Sequence, residues 1–313
     1  SERGQATLPN LRRLSKSVPL VHLCALRFTI YDSRFTIHDS RFTIHDLRGQ
    51  LLSYNLTAKI QQHYDLVSPY YKDLWGPHLH HGYYETGKES KAEAAEQLIK
   101  LLVQRANIAK GARVLDVGCG IGSSSIWLAQ NLGCKVTGIN ISPVQIEMVP
   151  DSARELRNQP KFILHDANDL RMTDKFEVIW AVEVLSHLSK RAEFFKRAAK
   201  LLVKGGIICE AAWLKDQDLG QEDEERYIRP IEEGMLVDLP NLAEYKDHFD
   251  NNNLTLRYYE DISSKVAHTW DVCLDIARDR ALWRLAYEHS KEFVGFLKSF
   301  KAMRDGFESG AFR

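Results

Sequence analysis

From about residue 90 onward, short apolar runs rich in Val and Ile alternate with stretches whose apolar residues recur every three to four positions. Ser90-Lys91-Ala92-Glu93 has the spacing of a capping box, and behind it Ala95, Leu98, Leu102 and Ala106 fall on one stripe of a helix. Arg113 to Val117 predicts a strand, Ser123 to Leu132 a helix and Lys135 to Ile139 a second strand. Ser142-Pro143 opens another helix, with proline near the first position, where no amide donor is needed. Strands at Phe162 to Leu164 and Phe176 to Val182, a helix at Arg191 to Leu202 and a fifth strand at Ile207 to Trp213 follow. A helix near Leu242 to Asn251 then precedes a sixth strand at Leu254 to Glu260. Strands alternating with helices predict an α/β fold, doubly wound, with a mainly parallel sheet covered by helices on both faces.

The first fifty residues do not share this order. Residues 27 to 47 read RFTIYDS, RFTIHDS, RFTIHDL, a near-perfect repeat of seven. Its apolar pairs, Phe28 and Ile30, Phe35 and Ile37, Phe42 and Ile44, are two apart and then five apart. Strand alternation therefore changes face at every repeat, and coiled-coil spacing is absent. Residues 1–50 are expected to form a repetitive, disordered tail, and 51–313 the folded domain. The functional alternative for the tail is a short edge hairpin or a partner-binding segment. Arg12, Arg13 and Lys16 ahead of Val18 to Leu26 weakly resemble a signal or transit peptide.

Charge narrows the partners. Lys plus Arg and Asp plus Glu both number 42, so no net field draws the chain to nucleic acid or to an anionic membrane. A small-molecule substrate is the expectation, with the oligomeric state undetermined. No apolar run reaches the roughly 18–20 residues of a spanning helix, so stable membrane insertion is not expected. The five cysteines are scattered without metal spacing, which reads as reduced thiols in a cytoplasmic protein.

Candidate chemistry concentrates at Val114 to Gly122, VLDVGCGIG. A dinucleotide fingerprint would need glycine where Ser123 stands, and no Gly-Lys-Ser/Thr follows for a Walker loop. Asp116, two residues before the first glycine, would repel a pyrophosphate but favour a ligand carrying an ammonium and a sulfonium. S-adenosylmethionine is such a ligand. The plain alternative is a tight turn that uses glycine only for close packing.

Further along, Glu183 closes the fourth strand, at the edge where parallel sheets hold ligands. It would hold the methionyl end of the cofactor or act as a base, unless it is a surface glutamate. His187, one helical turn on, would take a proton from the nucleophile or cap the next helix. Tyr64 to Tyr84 holds six aromatics together with His78, His80 and His81, so one side of the segment would pack down and the other cover the site. A metal site there is not expected, since no fourth ligand follows.

VLDVGCGIG resembles the first motif of class I S-adenosylmethionine-dependent methyltransferases. GINISPVQIEM and WGPHLHHGYY are similar to segments of the tocopherol methyltransferases and, for the first, of the cyclopropane fatty acid synthases. The similarity runs from Thr57 to Arg313. It implies a Rossmann-like, seven-stranded methyltransferase sheet whose last strand is antiparallel, and that strand is expected to be truncated, because the sequence stops at Arg313. It also implies that Gly118 and Gly120 let the backbone approach the cofactor and that Asp116 orients the ammonium. Asn140 stands where most relatives carry an acid, leaving Ser142 and Gln145 to share the ribose. Asp166 and Ala167 would meet the adenine. His81, in the histidine pair, joins Glu183 and His187 as a catalytic candidate. Residues 57–90 would form an N-terminal cap and 216–240 a substrate lid, with the acidic run at 222–225 as a solvated face.

These readings combine into a methyltransferase acting on a C-, N- or O-nucleophile of a small molecule, a prenylated phenol or lipid among the candidates. The alternative is a truncated, non-catalytic remnant that at most binds the cofactor; a nicotinamide oxidoreductase ranks third. A chain starting at Leu51 should keep its melting temperature to within about 5 °C, equivalent to about 1–2 kcal/mol for a domain of this size. Scanning calorimetry checks this, and a larger drop would mean that the tail packs on the core.

Overall fold

The computed structural model describes residues 56–70, 76, 78–289 and 291–313. All of them belong to one compact unit, Ile44–Arg313. The expectations for the repeat at 27–47 and for the tail at 1–50 lie outside the described residues.

Helix α1 occupies 56–70. Helix α2 (Lys91–Ala106) begins at the capping box: Ser90 Oγ accepts from the Glu93 amide, and the Glu93 carboxylate accepts from the Ser90 amide at 2.9 Å. Then come β1 (Arg113–Val117), α3 (Ser123–Leu132), β2 (Lys135–Asn140), α4 (Pro143–Glu147), β3 (Lys161–Leu164), β4 (Phe176–Val182), α5 (Arg191–Leu201) and β5 (Leu202–Ala211). The lid region is helical: α6 (Gln221–Asp223), a π-helical stretch at Glu224–Ile228, and α7 (Arg229–Met235). The C-terminal part is α8 (Leu242–Asp250), α9 (Ser263–Val266), α10 (His268–Ile276), α11 (Arg280–His289) and α12 (Lys291–Ser309).

The five strands run in the order β3-β2-β1-β4-β5, and every pairing is parallel. Because side chains alternate across a strand, Leu115, Val117, Ile139 and Ile179 pack toward α5 and α8, while Val114, Val136, Val178 and Trp180 pack toward α2 and α3. Each large side chain buried in these two layers contributes about 1.5–3 kcal/mol. A third core lies outside the sheet, where Val67 of α1 meets Ile231, Trp270, Phe293, Phe300 and Phe312. The chain winds outward in opposite directions from β1 and from β4, and a crevice opens where their carboxyl ends part, the place where sheets of this kind hold ligands.

Three features differ from the sequence reading. Strand β5 starts five residues before the predicted Ile207, at Leu202, and ends at Ala211. The predicted sixth strand at 254–260 is not a strand among the described residues. Leu256, Tyr258 and Tyr259 are exposed there, and the segment is tied down by its side chains, through an Arg105–Glu260 ion pair of 2.9 Å and the guanidinium of Arg105 over the Tyr258 ring. Ala311–Arg313 run antiparallel to Leu214–Asp216, a short pairing that the sequence reading did not include. Leu214 donates to the Arg313 carbonyl at 2.9 Å and Arg313 to the Leu214 carbonyl at 2.8 Å. Helices α9 to α12 had no counterpart in the sequence reading.

Among the described residues, the amides of 255–260 donate no backbone hydrogen bond. Hydrogen exchange there should be roughly a thousandfold faster than in β1 and β4. Slow exchange across 255–260 would show that the segment pairs as a strand in solution.

Candidate active site

The turn after β1 lines the crevice with Gly118, Cys119, Gly120 and Ile121. Gly118, Gly120 and Gly122 all have positive φ, at 67°, 57° and 85°. Their reasons differ. A Cβ on Gly122 would lie 2.7 Å from the Phe162 ring, so this glycine serves helix-to-strand packing. A Cβ on Gly118 would lie 2.4 Å from Val184 Cγ2, so a side chain there collides with the protein itself and not only with a ligand. At Gly120 a Cβ would meet nothing within 4 Å, and the residue lines the cavity, so its bare backbone is what leaves room for a ligand.

Asp116 sits on β1 between β2 and β4, opposite Gly138 and Trp180, and also reaches the cavity. Ser125 Oγ donates to its Oδ2 at 2.6 Å. Burial pushes this carboxyl up to about 7, with Ser125 pulling in the other direction.

At the end of β2 the structure revises part of the expected ribose site. Asn140 Nδ2 donates to the Gly120 carbonyl at 3.2 Å and to Gln145 Oε1 at 2.7 Å. Gln145 Nε2 donates to Ser68 Oγ at 2.9 Å, and Ser142 Oγ to Asp65 Oδ1 at 2.5 Å. Ser142 also caps α4 by accepting from the Gln145 amide. The side chains of Ser142 and Gln145 are therefore committed to holding α1 against the sheet. Asn140 and Gln145 line the cavity, whereas Ser142 is not part of its wall. Past β3, Asp166 and Ala167 both line it. Asp166 Oδ1 accepts from the amide and the side chain of Asn168, at 2.8 and 3.1 Å, as a turn-forming residue.

Glu183, the residue after β4, has φ at 53°, a left-handed conformation rarely adopted by a residue with a side chain. It belongs to a chain of three residues. The indole of Trp270 on α10 donates to His81 Nε2 at 2.6 Å; an indole N–H can only donate, so the single ring proton of His81 sits on Nδ1. That Nδ1 lies 2.9 Å from Glu183 Oε1, and the His81 amide donates to Oε1 at 3.0 Å and to Oε2 at 3.2 Å. Burial alone would raise the Glu183 carboxyl, but the hydrogen bonds donated by His81 outweigh it and hold the group below the ordinary carboxylate value. His81 thus has both ring nitrogens engaged, and this catalytic candidate is a clamp in the present geometry.

His187 is the other catalytic candidate. Its Nδ1 lies 3.1 Å from the Leu236 carbonyl, which only accepts, so Nδ1 carries the proton and Nε2 the lone pair. Nε2 accepts from the Tyr64 hydroxyl at 3.1 Å. Burial lowers His187 to about 4 and raises Tyr64, so the imidazole is neutral at pH 7 and the phenol keeps its proton.

The aromatic segment divides in two. Tyr64 and three histidines, His78, His80 and His81, face the cavity, whereas Tyr84 packs on the His268 ring at 4.8 Å and Tyr70 on His289 at 6.1 Å. Tyr71 and Trp75 lie outside the described residues. His80 Nδ1 donates to the His81 carbonyl at 2.8 Å, so its Nε2 is a buried acceptor, without a partner in this structure like His78 Nδ1 and His165 Nε2. Among the described residues no group of three His, Cys, Asp or Glu is arranged to hold a metal. Sequence reasoning missed Asp65, Ser68, Ser125, Leu236 and Trp270. Only Ser125, which sits in the first turn of the helix after the glycines, was within reach of motif spacing.

Residues 53–310 match the family model of mycolic acid cyclopropane synthetase. The chain is 30% identical over 253 residues to the 27-O-demethylrifamycin SV methyltransferase of Amycolatopsis mediterranei, covering 79% of this chain and 92% of that protein. It is 30% identical over 197 residues to the chloroplastic tocopherol O-methyltransferase of Arabidopsis thaliana, covering 58% of this chain and 56% of that protein. A solved cyclopropane synthase from Mycobacterium tuberculosis shares the fold at a TM-score of 0.72 and 18% identity, over 82% of this chain and 95% of that one. The chain belongs to the mycolic acid cyclopropane synthetase family and is a class I S-adenosylmethionine-dependent methyltransferase.

Proposed function

We propose that the crevice between β1 and β4 binds S-adenosylmethionine and that the space beyond Glu183 and Tyr64 holds an uncharged, largely apolar acceptor whose nucleophile sheds a proton. The observation that carries this reading is one cavity joining the bare backbone of Gly120 and the carboxylate of Asp116 to Glu183 and to the Tyr64–His187 pair. The buried acceptor at His80 Nε2 suits a ligand that presents an N–H or O–H donor.

When bound, the cofactor supplies a methyl group already activated by the sulfonium. Asp116 orients the ammonium, and the amides around Gly118 and Gly120 lie against the methionyl part. Asn140 faces the ribose, with Ser142 and Gln145 fixing the wall behind it, and Asp166 with Ala167 meets the adenine. Glu183, kept ionised by His81, holds charge at the methionyl end. His187 takes the proton leaving the nucleophile, through the Tyr64 hydroxyl. Leu79, Leu188, Trp213, Met235 and Phe296 make an apolar wall, and no Lys or Arg lines the cavity among the described residues. Lys91, near enough to His78 and His80 to disfavour their charged forms, is itself lowered by burial to about 7 and is not a fixed positive charge. This favours a hydroxyl or phenol on a lipid-like body over a phosphate ester. Residues 57–90 act as the cap and 216–240 as the lid of the single unit 51–313. No helix among the described residues is long and apolar enough to cross a membrane, and the four described cysteines are buried thiols, which supports a cytoplasmic setting.

Calorimetry should detect binding of S-adenosylmethionine or S-adenosylhomocysteine and none of NADH. The Asp116 carboxyl, near 7 in the free protein, is mostly protonated at pH 6 and is lowered by a neighbouring ammonium, so binding at pH 6 should release a proton. Asp116→Asn should remove that release, seen as heats that no longer depend on the buffer's ionisation enthalpy. NADH binding without either adenosyl ligand would refute the assignment.

Screening small-molecule fractions with methyl-labelled cofactor identifies the acceptor. His187→Asn should then lower turnover by about 10²–10⁴ with cofactor affinity within about twofold. Because native His187 stays neutral above about pH 4, the native enzyme should show no acid limb between pH 5 and 7 from this group.

A further inference from the structure

The tip of the lid and the turn carrying His187 are interlocked. Leu236 ends α7 at φ 56° and ψ 48°, a left-handed conformation that β-branched residues scarcely tolerate and glycine adopts freely. That conformation aims the Leu236 carbonyl at His187 Nδ1, 3.1 Å away. Two residues on, the Asp238 amide donates to the Ser186 carbonyl at 2.9 Å. Arg191 Nη2 donates to the Asp238 carbonyl at 2.7 Å and to its Oδ2 at 2.9 Å, while Arg191 Nε donates to the Leu185 carbonyl at 3.1 Å. The Arg191 side chain is 7% exposed and that of Asp238 74%, so a buried cation grips the lid from inside. Met235, beside Leu236, lines the cavity.

We propose that Leu236 is a positioning residue for His187: with the lid tip seated, its carbonyl keeps the ring proton on Nδ1 and leaves Nε2 as the lone pair facing Tyr64, and the Arg191–Asp238 pair is the latch that holds the tip down. A neutral imidazole free in water favours its proton on Nε2, where it cannot accept another. Seating the lid therefore completes the proton acceptor as well as covering the acceptor molecule, and joins closure to catalysis. The inference rests on the reading of His187 as the group that takes the proton. The titratable groups facing His187 are Tyr64 and His63 on α1 and Glu183 after β4; His63 and His187 disfavour each other's charge, and Glu183 favours it. Burial is the largest of these influences, so raising the lid moves His187 back toward an ordinary histidine, even though the lost carbonyl bond acts in the opposite sense.

The test is nitrogen NMR on the full chain with labelled histidine, His187 being assigned by its loss in His187→Asn. Native protein should show the Nδ1–H form, neutral down to about pH 4. Leu236→Gly, which keeps the left-handed turn, should match it and retain at least about half the native turnover. Leu236→Val and Asp238→Ala should move the ring proton toward Nε2, raise the titration by about one unit or more, and lower turnover about tenfold with cofactor affinity within about twofold. A folded Leu236→Val whose His187 tautomer and titration match native overturns the proposal; if that variant does not fold, the same result in Asp238→Ala does so. If both variants shift the tautomer but His187→Asn keeps full turnover, the latch stands and the reading of His187 as the proton acceptor falls.

Discussion

The hydrogen-bond chain from Trp270 through His81 to Glu183 is the interaction on which the site depends. It links three parts of the chain that share no secondary structure: α10, the cap segment and the end of β4. Each member fixes the next. The indole can only donate, so the imidazole must present Nδ1–H to the carboxylate, and the carboxylate, with the His81 amide also donating to it, stays ionised although it is largely buried. Removing His81 leaves the buried carboxylate short of donors, at a cost of about 1–3 kcal/mol or more. A strained backbone at Glu183 persists because the surrounding contacts determine it more strongly than local preference does.

From that clamp the rest of the site follows. The parallel sheet brings the ends of β1 and β4 side by side, and the clamp draws the cap over the gap between them. The helical layer carrying Trp270 is fixed by its own apolar core, which includes Phe293, Phe300 and Phe312 and reaches α1 through Val67. Helix α1 is pinned a second time by Asp65 and Ser68 to Ser142 and Gln145. Tyr64 lies between those anchors, which is why its hydroxyl can meet His187 across a separation of 123 residues. The two histidines divide the work by geometry: His81 has both nitrogens occupied by protein, whereas His187 offers its lone pair toward the cavity through Tyr64.

How much of this was legible in the sequence depended on the range of the forces involved. Strands and helices of the sheet layer were legible because period-two and period-3.6 patterns are local, and so were caps such as Ser90 and Ser142. The positions of Asp116, Gly118, Gly120 and Glu183 followed from where loops leave parallel strands. The partners of those residues were not legible, because Ser142–Asp65, Gln145–Ser68 and His81–Trp270 join distant segments and leave no mark in spacing. For the same reason Ser142 and Gln145 looked like ligand-binding residues when their side chains hold α1, and His81 looked like a catalytic residue. The segment 254–260 was expected as a sixth strand, but it is held by Arg105 through charge and stacking instead. Leu236 could not be found from its residue type, since its role lies in a backbone conformation that leucine rarely adopts.

The most direct measurement is a crystal structure of the full chain with S-adenosylhomocysteine. The account predicts the ligand in the β1–β4 crevice, its amino group beside Asp116, its methionyl chain along Gly118 and Gly120, and its sulfur on the side of the cavity where Glu183 and Tyr64 stand. The Trp270–His81–Glu183 chain should be unbroken. Ligand bound elsewhere, or bound in the crevice only after His81 has swung away from Glu183, would contradict it.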